Sequence, residues 1–141
     1  MAVKKIRLIL DTNWYISATI NESSRKLLYE LLTNENIIIL YSNEILEEYQ
    51  KVITREKFKK FIRIEQVTRF MDLVISKIEN VAIKTDTKGS RDPDDNFLLS
   101  LSIDSNADYL VTGDMDLLVL KNIGLTQILT LSSFLKIISL S

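Results

Sequence analysis

At 141 residues, 46% hydrophobic and 26% charged, the chain has the make-up of one globular domain able to bury a single substantial core. Its formal charge of −1 argues against a protein that coats nucleic acid through a global basic field, although a local patch stays open. With no cysteine and no histidine, disulfides, thiolate or imidazole ligands, cysteine nucleophiles and histidine bases are excluded, which leaves carboxylates, hydroxyls, Lys, Arg and a bound ion.

The N-terminal MAVKKIRLILD is too short and too soon charged for a signal peptide. No apolar run reaches membrane length, so a cytoplasmic protein is expected. Ile6 to Leu10 is a continuous apolar run, typical of a buried parallel strand, and it ends at Asp11. Asp11, Thr12 and Asn13 then lead into a short helix, TNWYISATI. Asp11 either caps that helix or stands at the strand's carboxyl end as a site residue. Ser23 or Ser24 is expected to cap RKLLYELL, whose leucines form one apolar face. Ile37 to Leu40 is a second buried strand, and Ser42 or Asn43 caps the next helix, NEILEEYQKVI.

In that helix Ile45, Tyr49, Val52 and Ile53 make the apolar stripe, and Glu44, Glu47 and Lys51 fall on the opposite, solvated face. Glu48 is the exception. It lies three residues after Ile45 and four before Val52, inside the stripe. An unpaired buried charge costs several kcal/mol, so Glu48 either pairs or snorkels at the stripe's edge, or points to the same place as Asp11.

From Thr54 to Arg69 the chain concentrates Arg55, Lys57, Lys59, Lys60, Arg63 and Arg69, interleaved with Phe58 and Phe61. This is either a solvated helical surface or a phosphate-backbone contact surface. The spacing of Val67, Phe70, Met71, Val74 and Ile78 predicts an amphipathic helix over 64–78, and Val81 to Lys84 reads as a weak strand.

Gly89 to Leu118 holds five candidate site acids: Asp92, Asp94, Asp95, Asp114 and Asp116. Asp92 can cap a helix with Pro93 in its first position, and Asp95 then falls in the first turn of a buried helix through FLLSLSI. Ala107 to Thr112 is a short buried strand that Gly113 and Asp114 end. After Asp116, LLVLKN reads as a short helix, Gln127 to Thr130 as a last strand, and Ser132 as the start of a C-terminal helix.

Alternating strands and helices predict a parallel sheet covered on both faces. Asp11, Asp114 and Asp116 then sit at strand carboxyl ends, where open parallel sheets bind ligands, with Asp92 and Asp95 at a helix start nearby. Two carboxylates about 4 Å apart repel by roughly 4 kcal/mol at an effective dielectric of 20. Several meeting at one edge need a cation, and Mg²⁺ or Mn²⁺ suits all-oxygen ligands. Such an ion activates water and stabilises a phosphoryl transition state, which points to a metal-dependent phosphodiesterase.

ILDTN, SNEILEEYQKVITREKF, RDPDDNFLLSLSIDSNADYLVTGDMDLL and ILTLSSFL occur in the order of the PIN domain family. The chain resembles that family over nearly its whole length, and most closely its VapC-like branch of toxins from toxin–antitoxin systems. RDPDDNFLL followed by ADYLVTGDMDLL is the specific part. The resemblance implies a single domain over 1–141, a three-layer α/β/α sandwich with a central, mainly parallel sheet, and metal-dependent RNA cleavage. It places the family's acids on Asp11, Glu48, Asp95 and Asp114, with Asp92 and Asp116 as accessory acids, all around Mg²⁺ or Mn²⁺. Asn13 and Thr112 match polar positions that orient ligands or water. It further implies an RNA substrate, a cognate antitoxin and a homodimer, formed through the SSFLKIISLS tail or the middle helices. Ser90 and Trp14 depart from the commoner residues at their positions.

Two other readings remain. One is a PIN-like domain that binds RNA or a protein with little or no cleavage, against which the intact acids argue. The other is a phosphoacceptor or phosphatase of another doubly wound fold; it fits poorly, because Asn13 stands where such a phosphatase needs a second Asp.

Overall fold

The computed structural model describes residues 4–90 and 92–139, so Arg91 of the RDPDD stretch and the last two residues of the apolar tail lie outside it. The strands are β1 (Ile6–Leu10), β2 (Ile37–Tyr41), β3 (Glu79–Asn80), β4 (Tyr109–Val111), β5 (Asn122–Ile123) and β6 (Thr126–Leu129). The helices are α1 (Thr12–Ile20), α2 (Glu22–Thr33), α3 (Asn43–Ile53), α4 (Ile64–Ile75), α5 (Asn96–Ser105), α6 (Met115–Leu118) and α7 (Leu131–Ser139). The strands form one sheet in the order β3-β2-β1-β4-β6-β5. Every pairing is parallel except β5 with β6. Helices cover both faces, giving the three-layer, mainly parallel architecture.

β1 occupies the middle of the sheet, which is why it is apolar at nearly every position: Leu8, Ile9 and Leu10 are buried on both faces. Buried side chains from Leu8 to Phe134 belong to one hydrophobic cluster. From β1 the chain runs outward to β2 and β3 on one side, then returns to β4 and β6 on the other. The order therefore reverses between β1 and β4, and in open α/β sheets the crevice at that reversal is where ligands bind.

Several local expectations are corrected. Asn21, not Ser23 or Ser24, caps α2; its Oδ1 accepts from the backbone N–H of Ser23 at 2.9 Å and of Ser24 at 3.3 Å. Ser42 precedes α3 without a capping side-chain bond. Helix α4 ends at Ile75, where the Ser76 hydroxyl donates to the Leu73 carbonyl at 2.6 Å. The weak strand lies at Glu79–Asn80, not Val81–Lys84, because β2 stops at Tyr41. The segment after Val81 pairs instead with α5: Asp104 accepts from Lys84 N at 2.6 Å and Thr85 N at 2.9 Å.

The apolar run after Asp116 is divided. α6 covers only Met115–Leu118, and a left-handed Lys121 (φ 66°) turns the chain into an antiparallel hairpin. Gly124, at φ 56°, stands first in its two-residue turn, a conformation glycine adopts without steric cost. A helix expected over 117–122 thus becomes a helix and an edge strand, since the ladder with β6 satisfies the backbone of Asn122 and Ile123 better than one more turn.

Candidate metal centre

The site lies at the carboxyl ends of β1 and β4. Leu10 is paired with Val111, so the next residues, Asp11 and Thr112, leave the sheet side by side. The Thr112 hydroxyl donates to Asp11 Oδ2 at 2.6 Å, and Asp11 Oδ1 accepts from the Asn13 backbone N–H at 3.4 Å. Asp11 therefore caps α1 and also faces β4 at the strand's carboxyl end. It is 6% exposed. Burial raises its pKa, with the Asp114 charge adding to the rise, while Thr112 and the Asn13 amide oppose it.

Thr112 extends the chain of contacts. Its hydroxyl oxygen accepts from Asp114 N at 3.0 Å, and Asp114 Oδ1 accepts from Asp116 N at 2.9 Å, capping α6. The β4–α6 turn thus ties Asp114 to Thr112 and Asp116 to Asp114 by backbone bonds.

The second acidic segment comes from the loop before α5. Thr87 N donates to Ser100 Oγ at 3.2 Å, Ser90 N to Asn96 Oδ1 at 2.9 Å, and Asp92 N to Ser90 Oγ at 3.2 Å. Asp92 then caps a 3-10 turn over Pro93–Asp95, accepting from Asp94 N at 3.0 Å. Asp95 stands at the junction of that turn with α5, one residue short of the expected helical first turn. Asp94 is exposed, but its charge reaches Glu48.

These segments converge. One oxygen each from Asp92, Asp95 and Asp116 lies within 4.8 Å of the others. Three carboxylates gathered at that spacing could hold a divalent ion that takes oxygen ligands, such as Mg²⁺ or Mn²⁺. Asp95 Oδ2 is buried with no hydrogen-bond partner, an orphaned oxygen of the kind a cation satisfies. The pKa of Asp95 is pushed from 3.8 to about 8 by burial, then by the neighbouring Asp114 carboxylate, with Asp92 and Asp11 adding to it. Burial first, and the neighbouring carboxylates after it, thus favour the protonated form of Asp95 in the cation-free protein.

Glu48 is half-buried and Glu47 exposed, as the helical phase predicts. Burial raises the Glu48 pKa, and the Asp11 charge raises it further, so the two carboxylates face one region. Thr12 Oγ1 is fully buried beside Glu48, near enough to favour its charge but not at hydrogen-bonding geometry. Thr12 was not singled out from sequence; its place directly after Asp11 is the only signal. Glu44, expected on the solvated face, is half-buried with Oε2 unpartnered.

Asn13 is exposed in the first turn of α1. Trp14 is partly buried against the core, and its backbone N–H donates to the Asp11 carbonyl at 3.0 Å. Arg55, Lys57, Lys59, Lys60 and Arg63 are all exposed. They follow the far end of α3, with Arg55 about 10 Å along the axis from Glu48 at 1.5 Å per residue. Lys59 pairs with Glu56 at 2.7 Å, and Lys57 Nζ sits 5.0 Å from the Phe58 ring centroid. A cavity of about 570 Å³ between α3 and α4, lined by Tyr49, Ile53, Val67 and Met71, is apolar and touches none of the candidate acids. The acids sit at an open edge. Among the described residues no helix is long and apolar enough to cross a membrane.

Comparison with known proteins bears on the family and the fold. Residues 7–116 match a family model described as a PIN domain. An uncharacterised protein of Methanocaldococcus jannaschii is 31% identical over 121 residues, spanning 84% of this chain and 77% of that protein. The crystal structure of VapBC2 from Rickettsia felis, bound to a DNA fragment from its promoter, superposes with a TM-score of 0.58. That match is 20% identical and covers 87% of this chain and 97% of the other; it speaks to the fold.

Proposed function

The chain belongs to the PIN domain family, and on that footing we propose that it is a single-domain, divalent-metal-dependent endoribonuclease, the toxin of a toxin–antitoxin pair. The observation that carries this reading is the convergence of Asp92, Asp95 and Asp116 around a buried, unpartnered Asp95 oxygen, beside Asp11 and Asp114 at the sheet's reversal point. Asp11, Asp95 and Asp114, with Asp92, Asp116 and Glu48 around them, would hold Mg²⁺ or Mn²⁺. When bound, the ion lowers the pKa of water and offsets negative charge on a phosphoryl group.

The protein's own groups do the rest. Thr112 holds Asp11 in one orientation, so the carboxylate does not reorganise during the reaction. Glu48, outside the converging trio and next to Asp11, takes the proton of the attacking water on a carboxylate oxygen. Water oxygen bonds to phosphorus, the bond to the ribose oxygen breaks, and that oxygen leaves with the bonding pair and takes a proton from solvent. Asn13, exposed in the first turn of α1, orients ligand or water. The basic turn after α3 neutralises backbone phosphates of the strand. The likeness to VapBC2 supports an antitoxin protein as partner, and the same reading takes the toxin to be a cytoplasmic homodimer.

The test is incubation of pure protein with structured and unstructured RNA, in Mn²⁺, Mg²⁺ or EDTA, beside Asp11→Asn. Cleavage should need the cation and Asp11, and the cation should raise the melting temperature of the wild type. Cleavage in EDTA, or by Asp11→Asn at the wild-type rate, would reject the mechanism. RNA binding without cleavage in any cation would favour a binding domain.

A further inference from the structure

Away from the acids, one cavity combines cations with aromatic rings. It measures about 330 Å³, and Thr19, Arg25, Phe61, Gln66, Arg69 and Phe70 are the lining residues that matter. It forms where the end of α1, the start of α2, the basic turn and α4 meet. No carboxylate lines it.

Arg25 is fixed in place: its Nε donates to the Ala18 carbonyl at 3.0 Å and its Nη2 to the Thr19 carbonyl at 3.1 Å. A guanidinium has five N–H donors, so the anchored group keeps charge and donors for a ligand. The Arg69 side chain makes no hydrogen bond or ion pair among the described residues. Phe61 is 66% exposed, a large ring left in water beside two guanidinium groups. An aromatic platform next to cations is the combination that holds single-stranded nucleic acid: the base stacks and the phosphate meets the charge. An acidic peptide would use the arginines but would leave the ring in water.

The pocket also lies on a path from the acids. α1 begins at Thr12, beside Glu48, and Thr19 at the pocket is seven residues on. At 1.5 Å per residue that is about 10 Å, or roughly three stacked nucleotides at about 3.4 Å each. The spacing is rigid, because the hydroxyls of Thr19 and Tyr49 are hydrogen-bonded at 2.6 Å and tie α1 to α3.

We propose that this pocket is a subsite for one unpaired nucleotide of an RNA strand, its base on Phe61 and its phosphate at Arg25 and Arg69, while the scissile phosphate of the same strand lies at the acids. The proposal rests on the ribonuclease reading above.

The experiment measures anisotropy of a fluorescein-labelled, uncleavable 2′-O-methyl oligouridylate in EDTA, at several salt concentrations. Phe61→Leu should weaken binding about tenfold, as loss of one stacked base does, and Phe61→Tyr should restore it. Arg69→Gln should reduce the salt slope by about 0.7, one phosphate contact. Unchanged affinity in Phe61→Leu, or equal losses in Phe61→Leu and Phe61→Tyr, would overturn the subsite. So would variants that lose binding of an acidic oligoglutamate peptide while keeping RNA. Cleavage of the ribose version by the wild type, measured in parallel, keeps the two readings apart. Cleavage with Phe61-independent binding rejects the pocket alone. Phe61-dependent binding without cleavage rejects the nuclease and leaves the subsite.

Discussion

The Thr112 hydroxyl donates to Asp11 Oδ2 at 2.6 Å across 101 positions of chain, and both residues are buried. The same hydroxyl accepts from the Asp114 backbone, so one side chain sets the positions of two acids. Thr112→Val keeps the shape and removes both bonds. It should cost about 1–3 kcal/mol of stability through the unsatisfied buried carboxylate, and it should lower cleavage more than Asn13→Ala does. Thermal melts and single-turnover rates check both. Full activity in Thr112→Val would mean that Asp11 needs no positioning.

Glu47 and Glu48 are adjacent in sequence, yet one is exposed and the other half-buried beside the acids. Glu47→Gln should leave cleavage nearly unchanged. Glu48→Gln should lower it by about 100-fold or more, the usual scale for loss of a proton-transfer group. Equal effects would place Glu48 outside the site.

Stability should depend on pH in an unusual direction. Asp95 has its pKa raised from 3.8 to about 8, and burial moves Asp11 and Glu48 the same way. Between those values the folded protein binds more protons than the unfolded chain, so folding weakens as pH rises through them. In cation-free buffer the melting temperature should be higher near about pH 5 than near pH 8, and Asp95→Asn should flatten the curve. Saturating Mg²⁺ should restore stability at pH 8, by about 2.7 kcal/mol at a hundred times its Kd. A melting temperature that climbs from pH 5 to pH 8 without a cation would contradict the crowded-acid description.

For the basic turn, replacing Lys57, Lys59 and Lys60 together by Gln should weaken RNA binding and flatten its salt dependence, which runs at roughly −0.7 per phosphate for single strands. Thermal stability should scarcely change, because exposed ion pairs such as Lys59–Glu56 contribute little. Affinity measured on Asp11→Asn at several salt concentrations decides the matter. An unaltered slope would make this turn a solvated surface.

The parts of the fold legible from sequence were those fixed by burial on both faces. β1 and α3 have the expected bounds, because apolar runs and stripes there are long and uninterrupted. Glu48 stood out because a charge inside an apolar stripe is a conflict that local preference does not resolve. What sequence missed depends on partners far along the chain. β3 is set by where β2 ends, and β5 exists because β6 offers a ladder to Asn122 and Ile123. The Asn21 cap was passed over because two serines beside it compete for the same role. The close approach of Asp92, Asp95 and Asp116 joins a 3-10 turn to the start of α6, and no spacing rule encodes that distance.

The pairing of β1 with β4 also bears on how the molecule is made. Asp11 leaves the ribosome early, but its neighbour strand begins only at Tyr109 and the last converging acid is Asp116. A chain that stops short of this point lacks the trio that Asp116 completes. A contact closed over so many residues forms late and slowly. The acids therefore come together only once the chain through Asp116 has been made and the central strands have docked.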